Sequence, residues 1–124
     1  MNHKQDLQGA WKVCSALVSG EPEDDRIGSG IWFMEDTVVI GDEDAAWEYK
    51  YRLHGSTHPP RLEIWSDDAN YPYRQQGVYD LRQDEFVLCY DVQKHNTWPS
   101  LVESTVSNGC AVLVYERSNK PVPE

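Results

Sequence analysis

Tyrosine side chains carry much of the potential chemistry of this 124-residue chain, which contains seven Tyr and five Trp. A phenol hydroxyl can orient a bound molecule or donate a hydrogen bond to an oxygen that gains negative charge. Strand-like alternation places one aromatic set on the apolar, inward-facing side. This set comprises Phe33, Trp47, Tyr49, Tyr51, Tyr79, Tyr90 and Tyr115. It predicts either a cavity lined by aromatic faces or a solid aromatic core.

Two residues of the long segment after Tyr90 are candidates for the mouth of such a cavity. Trp98 is expected to lie over the opening, and His95 near it, where an imidazole can act as a general base. A single histidine in a loop is more often simply exposed. Both interpretations of His95 stay open at this point.

The spacing of other reactive side chains argues against metal and nucleotide chemistry. His54 and His58 are four residues apart, but they flank a turn at Gly55 rather than lying on one helix face. Clustered carboxylates such as Asp42 to Asp44 lack the spacing of a calcium loop. The chain also has no phosphate-binding loop, dinucleotide fingerprint or nucleophile motif. We therefore predict no metal and no cofactor.

Composition narrows the partner classes. The formal net charge is −10, which argues against binding to nucleic acid phosphates or an anionic membrane. No apolar run has the length of a signal peptide or a transmembrane helix. The odd number of cysteines, three, fits a reducing compartment, with Cys89 and Cys110 as reduced, packed thiols. A bacterial cytoplasmic protein is expected.

The elements that must position these side chains are short segments of period-two hydrophobicity separated by turns. In the first, Trp11, Val13, Ser15 and Leu17 are expected to face inward. The pattern predicts an all-β single domain over 1–124, an eight-stranded antiparallel up-and-down barrel with a flexible tail at 118–124. The predicted strands are 9–18, 30–34, 37–40, 46–54, 61–66, 75–81, 85–91 and 109–117.

The opening segment 6–16, DLQGAWKVCSA, is similar to the LQGTWKV-SA opening of a family of small uncharacterised domains abundant in planctomycetes. The likeness covers about residues 5–118 and continues in GEP at 20–22, IWF at 31–33, GVYDL at 77–81, EFVLCY at 85–90 and VLVYER at 112–117. It implies a lipocalin-like (calycin) barrel and carries no settled activity. The segment 92–108 departs from the family pattern and is a candidate lid.

The resemblance also assigns structural roles. In barrels of this type, a glycine two residues before a tryptophan on the first strand, here Gly9 and Trp11, belongs to the closed floor. An arginine that ends the last strand, here Arg117, is expected over the indole ring, where a cation–π contact can form. A ligand site is then expected at the opposite end.

Trp32 and Trp65 take the outward parity of their strands. They predict a contact patch for a homodimer or a protein partner. A bulge that shifts the alternation would instead turn one of them inward.

Three functions are compatible with these residues. The first is non-enzymatic binding of a small apolar or aromatic molecule in the barrel. The alternative is a small barrel enzyme of cyclase or isomerase type, with tyrosine hydroxyls as acids and His95 or a rim carboxylate as base. The third is an acidic interaction or inhibitor module that uses Trp32, Trp65 and the acidic loops against a basic partner.

Overall fold

The computed structural model describes residues 3–42, 44–55, 57, 59–66, 73–91, 98–99, 102 and 109–119. These residues form one antiparallel sheet, a five-residue helix α1 (His3–Leu7) before it, and a 3₁₀ helix (Asp24–Arg26) within it. The strands are β1 (Gly9–Val18), β2 (Glu21–Pro22), β3 (Gly30–Met34), β4 (Thr37–Gly41), β5 (Ala46–His54), β6 (Arg61–Ser66), β7 (Tyr73–Leu81), β8 (Glu85–Asp91) and β9 (Cys110–Ser118).

Pairing between β1 and β9 closes the sheet into a barrel. The strand order is β2-β1-β3-β4-β5-β6-β7-β8-β9, and β2 adds only a two-residue extension beside Leu17 and Val18. In the described part of the chain, eight strands therefore form the closed antiparallel barrel that the sequence predicts. Ser118, assigned to the tail from sequence, still pairs with Ala10, while residues 120–124 lie outside the described ranges.

Alternation within β5 shows how the sequence builds the wall. Tyr51 is buried and belongs to the main core, whereas its neighbours Lys50 and Arg52 are exposed. Aromatic and charged residues alternate along this strand because successive side chains of a strand point to opposite faces. The alternation of residue types therefore determines which side chains of β5 enter the barrel interior.

One end of the barrel is closed by α1, which no sequence pattern predicted. Leu7 is completely buried, and Trp11 Nε1 donates a hydrogen bond to its carbonyl oxygen at 2.9 Å. The guanidinium carbon of Arg117 lies 3.8 Å from the centroid of the Trp11 ring, so the expected contact is present. Gly9 has a φ of +109°, which L side chains rarely adopt, and this requires glycine there. We call this end the floor.

A β-bulge in β1 corrects part of the predicted alternation. The register with β9 shifts between Val13 and Ser15, so Val13 and Ala16 are buried while Ser15 is exposed. The extra residue in a bulge reverses the faces that follow it. The expectation that Ser15 and Leu17 face inward was therefore wrong.

Phe86 is the centre of a packed aromatic core in the floor half. Its ring centroid lies 5.9 Å from Trp11, 5.8 Å from Phe33, 5.9 Å from Tyr79 and 5.5 Å from Tyr115. Such spacings are typical of tilted and edge-on aromatic pairs. In this half of the barrel, Phe33 and Tyr79 act as core rather than as walls of a cavity.

Candidate functional site

The end opposite the floor carries a group of tyrosines around one arginine. Antiparallel topology brings the end of β1, the starts of β5, β7 and β9 and the end of β8 to this side. We call Arg26, Tyr49, Tyr73, Tyr90 and Tyr115 the mouth cluster. Tyr115 belongs to both halves, because its ring packs on Phe86 while its hydroxyl lies within electrostatic range of Arg26 and Tyr90. Three of these tyrosines were assigned to the interior from sequence, whereas Arg26 and Tyr73 were left in predicted loops.

Arg26 reaches into the mouth from the 3₁₀ helix Asp24–Arg26. Backbone hydrogen bonds from Glu23 N to Ala16 O (3.0 Å) and from Gly28 N to Val13 O (2.9 Å) hold this segment along β1. Arg26 Nη1 donates a hydrogen bond to the hydroxyl of Tyr90 over 2.6 Å. Tyr90 lies on β8, which is separated from β1 by β9. The Arg26 side chain therefore links the segment beside β1 to β8 at the mouth.

Tyr115 differs from the other core tyrosines in the state of its hydroxyl. Its side chain is only 4 % exposed, and its hydroxyl forms no hydrogen bond with any residue that the structure describes. Because no fully buried side-chain oxygen in the described ranges lacks a partner, this oxygen keeps some contact with solvent. Buried polar atoms in native proteins are nearly always paired with protein or ordered water. This phenol therefore offers a polar group with spare hydrogen-bonding capacity.

Tyr51 shows the opposite arrangement and lies at the floor. Its hydroxyl donates to the carbonyl oxygen of Glu35 (2.6 Å) and accepts from Gln8 Nε2 (2.9 Å). Gln8 Oε1 in turn accepts from the Glu35 amide at 2.7 Å. Although Tyr51 faces inward as expected, these contacts use its hydroxyl to attach the segment after α1 to the barrel.

Burial sets the protonation of the mouth tyrosines. Desolvation raises the pKa of Tyr73 to about 12, with further increases from Tyr90 and Tyr49 and a smaller opposing effect of Arg26. Desolvation and then Tyr90 raise the pKa of Tyr115 well above its usual range, again against Arg26. These groups lie within electrostatic range of one another. At neutral pH their hydroxyls are protonated and can donate hydrogen bonds.

Aromatic rings form the rim of the mouth. The ring centroids of Tyr49 and Tyr73 are 4.9 Å apart at an interplanar angle of 36°. Trp47, two residues before Tyr49 on the same side of β5, is 60 % exposed. Trp47 was predicted to face the interior. It lies instead at the rim, near the start of β5, where its indole is exposed to solvent.

Trp98 does not lie at the mouth. Its ring is 5.8 Å from the imidazole of His54, and the guanidinium carbon of Arg61 is 5.0 Å from its centroid. His54 ends β5 and Arg61 begins β6, so this contact is at the floor end of these strands. The expectation that Trp98 closes the mouth is therefore wrong, and His95 lies outside the described residues.

The long connection after β8 also contributes to a small cluster on the outer face of the barrel. Cys89 and Cys110 form no disulfide and are buried there together with Val78, and Val102 packs against them. Burial raises the pKa of the Cys110 thiol, and a hydrogen bond with Cys89 opposes that increase. At Val102 this connection covers the barrel wall rather than its opening.

The two outward tryptophans differ in accessibility. Trp32 is only 6 % exposed because its ring lies on Gly30, where an added Cβ would come within 2.4 Å of the ring. Trp65 is half-buried, and the guanidinium carbon of Arg52 lies 5.7 Å from its centroid. A surface groove of about 580 Å³ runs beside it, lined by Arg52, Glu63, Trp65, Ser66, Tyr73 and Arg74. Trp32 therefore presents little ring surface to a partner.

No family model, curated protein or solved structure matches this chain. The resemblance to the planctomycete-type domain family therefore stays a prediction. Within the described ranges, no three His, Cys, Asp or Glu side chains are grouped so that they could hold a metal ion. The helices described here are too short and polar to cross a bilayer.

Proposed function

We propose that the barrel binds one small, largely apolar or aromatic molecule at its mouth. The observation that carries the proposal is the mouth cluster itself, in which the largely buried Tyr115 lies within electrostatic range of Arg26, Tyr73 and Tyr90. The Tyr115 hydroxyl forms no hydrogen bond with a described residue, although no fully buried side-chain oxygen in the described ranges lacks a partner. A polar atom of a ligand would satisfy this hydroxyl at little desolvation cost. The proposed ligand site is therefore the mouth half of the barrel interior.

The rim favours an aromatic or apolar ligand body. Tyr49 and Tyr73 present paired ring faces, and the exposed Trp47 extends the apolar surface outward. Ligand sites are mostly apolar with a few placed polar groups, and this combination is present here. Because α1, Trp11 and Arg117 close the floor, the ligand would enter past Trp47.

The two other functions have weaker support. The enzymatic alternative needs a base, either His95, which lies outside the described residues, or a rim carboxylate, for which the mouth cluster supplies no side chain. The interaction module would use Trp32, whose ring is covered by Gly30 and its surroundings. Ligand binding remains the function that the described geometry favours.

Titration with Nile red, an uncharged aromatic probe with a carbonyl acceptor, tests the proposal. We expect saturable fluorescence enhancement with one site per chain. Tyr73→Ala and Tyr115→Phe should each weaken the affinity about five- to tenfold, from lost ring contact and a lost hydrogen bond respectively. Tyr51→Phe removes a hydroxyl at the floor and is the matched control, with an affinity like that of the unmodified protein.

Two results would contradict ligand binding at the mouth. One is the absence of saturable enhancement in the unmodified protein. The other is an equal loss of affinity in Tyr51→Phe and Tyr115→Phe, because general loosening of the barrel would then explain both.

A further inference from the structure

Arg26 stands apart from the other basic residues because of its partners. The chain has 21 acidic and 11 basic residues, yet Arg26 forms no ion pair with a carboxylate within the described ranges. Four other basic side chains do so: Lys4 with Asp36, Lys12 with Glu116, Arg74 with Glu63 and Arg82 with Asp80. Three further arginines also form no such ion pair there, but each has its guanidinium over a tryptophan ring, which Arg26 does not: Arg52, Arg61 and Arg117. In so acidic a protein, a half-buried arginine without a carboxylate requires an explanation.

The environment of Arg26 makes an anion the expected complement. Its only side-chain partner in the described residues is the neutral hydroxyl of Tyr90, which uses one of five guanidinium N–H donors. Taking a cation out of water is costly unless an opposite charge or strong acceptors compensate. The planar guanidinium fits a carboxylate with two parallel hydrogen bonds.

We infer that the mouth cluster recognises a carboxylate, so that the ligand is an amphipathic acid with an apolar or aromatic body. Arg26 would bind the carboxylate through N–H donors not used by Tyr90. The Tyr115 hydroxyl, which has no partner among the described residues, would donate a further hydrogen bond. This inference rests on the proposed function and narrows its ligand class.

The tyrosines support this assignment because they are donors without charge. Tyrosine is uncharged at neutral pH, and desolvation raises the pKa of both Tyr73 and Tyr115 further, so neither repels an anion. The exposed carboxylates of Asp24 and Asp25 precede Arg26 on the 3₁₀ helix, on the solvent side of the mouth. Towards the barrel, Arg26 bonds the neutral hydroxyl of Tyr90 and is the charged group that acts on Tyr73 and Tyr115.

Two probes of equal shape test the inference: 2-naphthoic acid, ionised at pH 7.5, and its neutral amide, 2-naphthamide. We expect the unmodified protein to bind the acid at least tenfold more tightly than the amide in a fluorescence titration. Arg26→Gln should abolish that preference and leave the amide affinity within about twofold. Arg82→Gln makes the same charge change at the floor and should leave both affinities unchanged.

Tyr90→Phe separates charge recognition from a purely structural tether. It removes the hydrogen bond to Arg26 but keeps the cation, so it should retain most of the preference for the acid. If Arg26 serves only to hold the 3₁₀ helix against β8, Arg26→Gln and Tyr90→Phe will lower acid and amide binding alike, and the inference is overturned.

The remaining outcomes distinguish the inference from the proposed function. Equal binding of acid and amide by the unmodified protein overturns carboxylate recognition and leaves ligand binding standing. Binding of Nile red without binding of either naphthyl probe also overturns the acid class alone. If none of the three probes binds, both the inference and the proposed function fail.

Discussion

The Arg117 guanidinium carbon lies 3.8 Å from the centre of the Trp11 ring, and its Nη1 donates a hydrogen bond to the carbonyl oxygen of Gln8 at 3.0 Å. One side chain of β9 therefore contacts β1 and the residue that follows α1. Carbonyl groups at the end of a helix need donors, and a cation there is favourable. The floor is therefore stabilised by this arginine in addition to apolar packing.

Replacing Arg117 should destabilise the floor. We expect Arg117→Ala to lower the free energy of unfolding in urea by about 2 kcal/mol, from the lost cation–π contact and hydrogen bonds. Arg82→Ala, an exposed site nearby, should change it by less than about 0.5 kcal/mol. Amide hydrogen exchange in α1 should accelerate only in Arg117→Ala. Equal destabilisation by the two substitutions would remove this role from Arg117.

The hydroxyls of Tyr51 and Tyr115 should contribute unequally to the free energy of unfolding. Tyr51→Phe removes a hydroxyl with two partners and should lower the free energy of unfolding by about 1–2 kcal/mol. Tyr115→Phe removes a hydroxyl without a partner in the described residues and should change it by less than about 0.5 kcal/mol. Urea denaturation followed by tryptophan fluorescence measures both. A larger loss in Tyr115→Phe would show that its hydroxyl is already satisfied.

The covered position of Trp32 depends on the absence of a side chain at Gly30. Gly30→Ala would place a Cβ about 2.4 Å from the ring, so the indole must move outward. We expect greater acrylamide quenching of Trp32 and a loss of about 1–3 kcal/mol in unfolding free energy. In a Trp32→Leu background the same substitution should cost less, as a double-mutant cycle would show. An equal cost in both backgrounds would place the strain elsewhere.

Alkaline pH should weaken the fold through Tyr79. Burial raises its folded-state pKa to about 12, above an unfolded value near 10. Its contribution, up to about 2 kcal/mol, is therefore fully present below pH 10 and is lost as the pH rises towards 12. Urea midpoints at pH 9 and pH 11 measure the decline, which should be smaller in Tyr79→Phe. The same decline in both proteins would exclude this tyrosine as the cause.

Cys14 should be the one readily modified thiol. It is exposed, whereas Cys89 and Cys110 are buried on the outer face. Partial desolvation of its sulfur and the nearby Glu116 raise its pKa, so the reaction with a disulfide reagent should quicken above pH 9. We expect about one thiol per native chain and three after denaturation. In Cys14→Ser the fast phase should disappear, and its persistence would show that the outer cluster opens.

The sequence predicted most of the barrel because the alternation of apolar and polar residues is a local property. It failed at Ser15 and Leu17, because the β-bulge before them depends on pairing with β9, and at Leu7, because a five-residue helix shows no usable period. It also failed at Arg26, whose partner Tyr90 is 64 residues away. No local pattern reveals which hydroxyl such a side chain reaches. Trp98 was predicted at the wrong end of the barrel because its contacts with His54 and Arg61 also join residues far apart in the sequence.

Closure of the barrel by β1 and β9 has a consequence for how the chain folds. Ala10 pairs with Ser118, so the first strand has no partner on one edge until the last has formed. Pairings of such large separation form slowly, and an unpaired apolar edge favours association between chains. We expect burial of Trp11 to be among the last steps of refolding. During synthesis, a nascent chain lacking β9 would keep the edge of β1 exposed to other chains.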